Sequence, residues 1–569
     1  MQQPKTKKRF GCFRILLICG LLTIGLVAFW AWMNFTGGPI DGKPLVRVSP
    51  ETTAITEPLD GNGDPDYITY LDRQYREGAT PENNAAVLLL QAVGPTLEAR
   101  QFGETYYQRL GIEPLKADGD YWIDFSEWKK KLFANDSELS SAERDQQLSD
   151  QYDFATKNPW AAEQFPELAQ WLDQNSKPLE LIRAATLRPR YYAPVFDNTE
   201  VPTVLGAGSE LVHRNRELAR ALSISAMKHL GENDAVAAFS ETLAIRRTAR
   251  LTDQGPSLVD GFMAIALETL ATEAELKIIV SGRATKQQLL DYRATIEQLP
   301  PLHRIYNRID NAERFLVLDL MITFGRGELD HEKYMGSEGG IRLGLLGRMI
   351  FAYADWNTAL TLTNDVFDRI VEATKQETFK LRKEAFTAIE TEFEDVVTEL
   401  LDAKVMAGIV FGGRRVRGKH AGKLMSALML TPMFAALVAE SRAIGMHRFS
   451  LIAISLELYK MDHGEYPRSL DELVPDYCES VPLDPFTEEP FHYTRKDKTY
   501  LLYSVGSNLC DDLGFGFDDI GSDGDDWSAK VTIVDWQQFQ QDQLDRKEAE
   551  RLELLELLRG EGDGLFPKE

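Results

Sequence analysis

The stretch from Leu456 to Asp526 constrains the fold more than any other part of this chain, because helix, turn and strand signals follow one another closely there. An apolar stripe of helical spacing leads into it, and Gly464 can adopt the left-handed conformation that ends a helix. Ser469 and Glu472 stand at capping-box spacing, which predicts a short second helix. The stretch therefore predicts a helix lying on a small antiparallel sheet.

The same stretch indicates where its elements begin and end. The first helix is expected to stop near Asp462. A hairpin is expected between Phe491 and Val505, around a polar tip at residues 496–498. A further strand could follow at residues 531–534. Together these signals predict an α+β unit that follows a mainly helical chain.

This order of motifs resembles a known family. The segments LYKMDHGEYP, VPLDPF, YSVGSN and a closing acidic DDI are similar to the globular half of the type II secretion major pseudopilins. The resemblance covers residues 441–535 and implies a pseudopilin-like α+β domain there. A similar domain recurs at the C-terminus of large uncharacterised bacterial envelope proteins. The rest of the chain carries no such resemblance.

In the pseudopilins the last loop of this domain binds calcium, and the resemblance implies the same role here. By position it assigns as ligands the carbonyl of Val505 and the side chains of Asn508, Asp518 and Asp519, and Asp511 joins this candidate set. The expected cofactor is calcium. The loop also departs from the family, because Asn508 and Cys510 stand where aspartate and small residues are usual.

The residues give an independent reason to expect a cation. Seven aspartates crowd a short, glycine-broken segment: Asp511, Asp512, Asp518, Asp519, Asp523, Asp525 and Asp526. So many carboxylates repel one another unless a hard cation gathers them, and calcium takes six to eight oxygen ligands. The alternative is a solvated acidic loop, since the spacing does not match an EF-hand.

Two cysteines lie in this region, Cys478 after the short helix and Cys510 at the start of the acidic loop. Outside the cytoplasm a disulfide between them would be chemically reasonable, and it would hold the loop in place. The alternative is two free thiols. The sequence leaves both possibilities open because it does not give their separation.

Residues 15–35 form an uncharged run after a basic segment, residues 1–14. The run is about as long as a helix that spans a bilayer, and its basic flank should remain in the cytoplasm. A cleaved signal peptide is the alternative, but the run is long and lacks a small-x-small exit. The prediction is a single-pass protein of the bacterial cell membrane, with its body in the periplasm or otherwise outside the cytoplasm.

The remaining periodicity is mainly helical. The predicted divisions are a linker at 36–64, a helical domain at 65–330, a glycine-rich loop with long helices at 331–440, and a charged helical tail at 536–569. The clearest helices are expected at 210–230, 235–251 and 257–279. The tail either folds back on the protein or pairs with a partner helix.

Several short motifs resemble known sites without their full chemistry. Residues 413–420 nearly spell a phosphate-binding loop, but His420 replaces the required hydroxyl, so a basic inter-helix loop is expected. Ser225 and Lys228 match a Ser-x-x-Lys pair, but their apolar neighbours favour core packing. Tyr191 and Tyr192 could face a ligand or pack on the helices. The net charge of −25 argues against nucleic acid as a partner, and no nucleotide is expected.

These features lead to one functional hypothesis and two alternatives. The hypothesis is a membrane-anchored, non-enzymatic component that binds other envelope proteins and has a calcium-stabilised pseudopilin-like domain. The first alternative is a membrane-anchored hydrolase with its active site in the helical domain. The second is a type II secretion-associated factor, although the membrane segment lacks the glutamate that directs pseudopilin assembly.

Overall fold

Helices make up most of the described chain, with one small sheet near its C-terminal end. The computed structural model describes residues 20–31, 40–133, 141–197, 199–329, 347, 350–351, 353–400, 402–515, 525–528, 533–546, 548 and 551. Within these residues the chain is mainly α-helical and carries a three-stranded antiparallel sheet. The mainly helical class and the small C-terminal sheet are therefore confirmed.

Many of the helices are joined by short connections, whereas residues 186–209 separate α10 from α11. The first are α1 (Gly20–Ala31), α2 (Pro50–Thr53), α3 (Tyr67–Arg76), α4 (Ala85–Val93), α5 (Leu97–Phe102), α6 (Glu104–Leu110), α7 (Phe125–Phe133), α8 (Ser141–Lys157), α9 (Pro166–Gln174) and α10 (Ser176–Ala185). Next come α11 (Glu210–Gly231), α12 (Ala235–Thr252), α13 (Leu258–Val280), α14 (Lys286–Glu297), α15 (Tyr306–Arg308), a π turn (Ile309–Glu313) and α16 (Arg314–Arg326). The last are α17 (Trp356–Thr374), α18 (Phe379–Phe393), α19 (Val396–Glu399), α20 (Ala403–Phe411) and α21 (Arg414–His463).

Three long helices, α11 to α13, form the centre of the helical body. Helix α12 packs against both α11 and α13, as expected for helices joined by short turns. Asp234 caps α12 by accepting the N–H of Ala237 at 2.9 Å, and Ser257 with Asp260 forms a capping box at the start of α13. The helices predicted at 210–230, 235–251 and 257–279 are confirmed.

Helix α21 connects the helical body to the C-terminal region. It runs unbroken for 50 residues, contains Pro432, and packs against α13 and α17. It therefore passes through residue 440, where the sequence suggested a division between domains. Among the described helices it alone is long and apolar enough to cross a membrane, and half of its most apolar window is buried in the protein.

Residues 414–420 of the basic run belong to α21 and Gly413 is its N-cap, so the predicted inter-helix loop is wrong. The side chain of Arg417 is fully buried and donates to the carbonyls of Tyr353 at 2.9 Å and Ile409 at 3.1 Å. These bonds hold the first turn of α21 against the preceding segments. The arginine is thus part of the core and not a solvent-facing loop residue.

Two glycines let α21 approach the start of α17 closely. A Cβ on Gly418 would lie 2.3 Å from the carbonyl oxygen of Asp355, and one on Gly422 would lie 2.7 Å from that of Ala359. We expect Gly418→Ala to lower the free energy of unfolding by about 2 kcal/mol, because the clash outweighs the better helix propensity of alanine. Thermal unfolding beside Gly408→Ala, where a Cβ meets nothing within 4 Å, measures this. Equal melting temperatures for the two variants would contradict it.

The C-terminal module, residues 464–528, begins as predicted. Helix α21 ends at His463, and Gly464 follows with a φ of 81° in the left-handed region. A 3₁₀ helix at Leu470–Leu473 starts with both bonds of the Ser469/Glu472 capping box. The helix end and the short capped helix are therefore confirmed.

The sheet of this module has the strand order β1–β2–β3, all antiparallel. Strands β1 (His492–Lys496) and β2 (Thr499–Ser504) form the predicted hairpin. Strand β3 (Trp527–Ser528) pairs with the end of β2. The first half of the strand predicted at 531–534 lies outside the described residues. Trp527 is buried and packs on Phe449 of α21, with ring centroids 4.7 Å apart. This contact joins the sheet to the long helix.

The segment predicted as a linker is packed from residue 40 onward. Val46 is buried, and α2 packs against α17. Arg326 forms an ion pair with Asp64, with Nε 2.6 Å from Oδ2, and both side chains are almost completely buried. The linker prediction for 36–64 is therefore wrong in its described part, because a buried side chain and a buried ion pair tie it to the body.

The beginning of the charged tail folds back onto the helical body. Trp536 packs edge-on against Phe154 and Phe165, with ring centroids 5.2 and 5.1 Å apart. A helix continues over residues 536–546. Most of the glycine-rich loop and the leucine stripe at 552–558 lie outside the described residues.

Candidate functional site

The described part of the acidic loop brings three carboxylates together. Ligand oxygens of Asp512, Asp525 and Asp526 all lie within 4.8 Å of one another. The chain reaches Asp512 after β2, and it supplies Asp525 and Asp526 immediately before β3. Pairing of β3 with β2 therefore brings the two ends of the loop side by side.

Asp525 closes the turn that follows β2. Its Oδ2 accepts the N–H of Ser507 at 2.9 Å, the hydroxyl of Ser507 at 2.7 Å and the N–H of Asn508 at 3.0 Å. Its Oδ1 is buried and has no hydrogen-bond donor. One oxygen of this carboxylate thus accepts the hydrogen bonds of the turn, and the other is available to bind a cation.

Asp526 repeats this pattern in a more buried position. Its Oδ2 accepts the N–H groups of Asp512 at 3.0 Å and Gly514 at 2.8 Å. Its Oδ1 has no hydrogen-bond donor, and the residue is only 3% exposed. Burial raises the pKa of the Asp526 carboxyl, and the charges of Asp512 and Asp511 raise it further. An unpaired buried carboxylate oxygen is costly unless a cation or proton compensates it.

The ligand set predicted from the family is only partly supported by these positions. Asn508 borders the cluster, because its Nδ2 donates to Asp512 at 3.0 Å, but its Oδ1 accepts the N–H of Cys510 at 2.6 Å. Asp511 faces elsewhere: it accepts the hydroxyl of Tyr503 at 3.0 Å and lies 3.5 Å from His492. Asp511 is therefore not a member of the cluster.

Three further predicted ligands stay predictions. Val505 is buried directly after β2, and the cluster consists of side-chain oxygens, so it does not test the ligand role predicted for the Val505 carbonyl. Asp518 and Asp519 lie outside the described residues. The cluster instead contains Asp525 and Asp526, which the family pattern did not single out. Trp527 was the available signal, because a tryptophan after two aspartates indicates that the loop returns to the core.

The predicted disulfide is not formed. Cys478 and Cys510 are both free, the first half-buried and the second exposed. The thiol of Cys478 lies 3.9 Å from the carbonyl oxygen of Leu473, and that of Cys510 lies 3.9 Å from the carbonyl oxygen of Asn508. The loop is held by carboxylate hydrogen bonds and not by a covalent bridge.

Other motifs singled out in the sequence have structural roles. Tyr191 and Tyr192 are almost fully buried, so the packing interpretation is confirmed. The Ser225 hydroxyl donates to Glu241 at 2.7 Å within the core, and Lys228 pairs with Glu232 on the helix surface. Ser225 and Lys228 thus bind different carboxylates, and they do not form the Ser–Lys arrangement of an acyl-transferring site.

A buried ionic cluster around Arg246 was missed by sequence reasoning. Arg246 of α12 is fully buried and pairs with Glu268 and Glu275 of α13, its Nη2 lying 2.6 Å from Oε2 of Glu275. The same nitrogen donates to the hydroxyl of Ser450 of α21 at 2.9 Å. Burial by itself would raise the pKa of Glu268, but the positive charge of Arg246 holds it well below its usual range. The cluster thus joins three helices.

Comparisons with protein-family models, curated proteins and solved structures give no match to this chain.

Proposed function

We propose that this protein is a membrane-anchored, extracytoplasmic binding component whose C-terminal module holds a calcium ion. The observation that carries the proposal is the pair of buried, donor-free oxygens, Oδ1 of Asp525 and Oδ1 of Asp526, beside the carboxylate of Asp512. Three hard oxygen ligands favour calcium or magnesium over the softer transition metals. The seven-aspartate loop supports calcium, which accepts more carboxylate ligands than magnesium does.

The anchor is supported by the surface of α1. Its large apolar side chains are more than half exposed, including Leu22 at 61%, Ile24 at 66% and Leu26 at 67%. A row of such side chains is unfavourable in water and favourable in lipid. Trp30 at the end of α1 contacts Phe411 of α20, with ring centroids 5.7 Å apart. We propose that residues 15–35 span the membrane and that α20 lies next to it.

The role of calcium would be to stiffen a surface for other envelope proteins. Lys383 of α18 donates to the carbonyl of Ser507 at 2.8 Å, so the turn closed by Asp525 is tied to the helical body. An ion bound at Asp526 would also hold β3 beside β2.

Capture of partner proteins from solubilised membranes, with calcium and with a chelator, tests whether their binding depends on the ion. Recovery of the same proteins under both conditions would contradict this role.

We expect calcium to raise the unfolding temperature of chelator-treated protein. At a free calcium concentration one hundred times the dissociation constant, the gain corresponds to about 2.7 kcal/mol. Asp526→Asn should lose most of this gain, because it removes a ligand charge. Without calcium the same variant should be at least as stable as the native protein, because it removes repulsion from Asp512. Differential scanning calorimetry and calcium titration measure both effects.

Two controls separate a specific site from general charge screening. Asp511→Asn removes one charge from the same loop but faces away from the cluster, so it should keep the calcium response. Magnesium at equal ionic strength should give a smaller stabilisation. The calcium proposal fails if all three proteins respond alike, or if the native protein does not respond.

A second candidate, a hydrolase, is favoured by a cavity of about 360 Å³ in the helical body that contains His303 and His447. Nδ1 of His303 lies 2.7 Å from Oδ2 of Asp253, and this hydrogen bond raises the pKa of the imidazole. A carboxylate that orients an imidazole is a feature of general-base sites. Hydrolysis of 4-nitrophenyl acetate that disappears in His303→Gln would support this candidate over the binding role.

A further inference from the structure

The 360 Å³ cavity lies between α13, the connection that precedes α15, and α21. Gly261, Ile265 and Glu268 line it at helical spacing from α13, and Glu440, Ile444 and His447 do so from α21. Its size falls within the range of sites that bind small organic molecules. Its walls combine apolar side chains with several charged groups.

The three carboxylates that line this cavity are fully paired. Glu440 accepts the N–H of Ile305 on Oε1 at 3.0 Å and a guanidinium N–H of Arg382 on Oε2 at 2.8 Å. Glu268 pairs with Arg246 and Arg250.

The third carboxylate, Asp253, is paired in the same way. Its Oδ1 accepts from Arg308 at 2.7 Å, and its Oδ2 accepts the backbone N–H of His303 at 2.5 Å. No carboxylate of the cavity therefore has an unused oxygen among the described contacts.

The donors of the cavity are not matched in the same way. Arg304 makes one described contact, an ion pair with Glu440 at 3.5 Å. Arg448 donates Nη1 to the carbonyl of Leu483 at 2.7 Å and has no other described acceptor. Burial lowers the pKa of Arg448, and the charges of Asp484 and Glu488 act in the opposite direction without a described hydrogen bond to its guanidinium.

His447 also lines the cavity from α21. Its Nδ1 lies 3.2 Å from Nη1 of Arg246 and 3.7 Å from Oε1 of Glu268. Nε of Arg308, another residue that lines the cavity, is buried and has no acceptor, so the cavity offers N–H donors to which an incoming acceptor could bind.

We propose that this cavity binds a small organic monocarboxylate, with its carboxylate held by Arg304 and Arg448. Its apolar part packs against Ile265, Leu302 and Ala443. Arginine matches a carboxylate through parallel N–H···O bonds, and the apolar walls favour an anion that carries a hydrocarbon group over a bare inorganic anion. This site is independent of the proposed calcium ion and of the membrane anchor.

The test uses 2-naphthoate as the probe and the full chain in detergent, with binding followed by ligand fluorescence. We expect saturable binding of 2-naphthoate, with 2-naphthalenemethanol and inorganic phosphate each binding at least tenfold more weakly. Arg448→Gln and Arg304→Gln should each weaken 2-naphthoate binding about tenfold or more. Arg415→Gln is the matched control, because Arg415 is an exposed arginine of the same helix. It should bind like the native protein.

A second variant tests the cavity without touching a charge. Ile265→Trp places a larger side chain into the space and should abolish 2-naphthoate binding while the unfolding temperature is maintained. The proposal is overturned if the neutral alcohol binds as well as the carboxylate, or if Arg448→Gln and Arg415→Gln bind alike. Unchanged binding in Ile265→Trp would also overturn it, because the probe would then lie elsewhere.

Discussion

Replacing Arg246 with leucine is expected to lower the free energy of unfolding by about 3–5 kcal/mol. The substitution removes the positive charge that lies between Glu268 and Glu275, whose side chains are 1% and 0% exposed. Both carboxylates would remain buried and lose their principal counter-ion. A loss of this size is a large fraction of the stability of an ordinary domain. The effect should fall toward acidic pH, because Arg246 lowers the pKa of Glu268 and the corresponding stabilisation is lost when Glu268 is protonated.

Urea unfolding followed by circular dichroism measures this loss. Arg247→Leu is the matched control, because the next residue of the same helix is only half-buried and has no described ion pair. Adding Glu275→Gln to the leucine variant should restore part of the stability, since one unpaired charge is then removed. A loss below 1 kcal/mol, or an equal loss in Arg247→Leu, would show that the cluster does not stabilise the body.

Replacing Asp319 with asparagine is expected to stabilise the protein by about 2 kcal/mol at pH 8.5. Burial raises the pKa of Asp319 to about 7, and nearby Asp66 and Asp197 contribute to the increase. A full difference of about three pH units from free aspartate would correspond to about 4 kcal/mol, and partial exposure of the side chain reduces this. The amide oxygen of asparagine can still accept the N–H of Val204, which lies 2.8 Å from Oδ2.

The sign of the pH dependence follows from linkage. Below about pH 4 the Asp319 carboxyl is protonated in both the folded and unfolded states, so the substitution should have little effect. Between pH 4 and 7 the folded state binds the Asp319 proton more tightly, so the contribution of Asp319 to the stability of the native protein falls as the pH rises. The advantage of asparagine should therefore grow through this range and remain constant above it.

Thermal unfolding of the native protein and Asp319→Asn across pH 4 to 9 measures this difference. Asp365→Asn, at an exposed position, serves as the control and should give a flat difference. A pH-independent difference for Asp319→Asn would exclude titration of this carboxyl as its cause.

Local structure could be predicted from the sequence wherever neighbouring residues determine the backbone conformation. Gly464 ends α21 because glycine enters the left-handed region without a steric penalty, and Ser469 with Glu472 starts the short helix through bonds within four residues. The hairpin around residues 496–498 follows equally from its strand-forming flanks. Each of these signals operates between residues that are close along the chain.

The acidic cluster could be predicted only in part from the sequence. The aspartate-rich loop was interpreted as a cation site from its composition, but the family pattern assigned Asn508, Asp518 and Asp519, whereas the described geometry brings in Asp525 and Asp526. Which aspartates belong to the cluster depends on the pairing of β3 with β2, because this pairing places Asp525 and Asp526 beside the turn after β2. A one-residue change of register would turn their side chains to the opposite face.

The sequence by itself determined the mainly helical class, the ends of individual helices, the hairpin and the apolar N-terminal segment, since these depend on composition and short-range spacing. Only the tertiary structure decided that α21 continues through residue 440, that Arg246 is buried between two glutamates, and that Arg304 and Arg448 line the same cavity. The physical reason is that burial and charge pairing depend on residues brought together from distant parts of the chain. Arg246 and Ser450 are 204 positions apart and within hydrogen-bond distance.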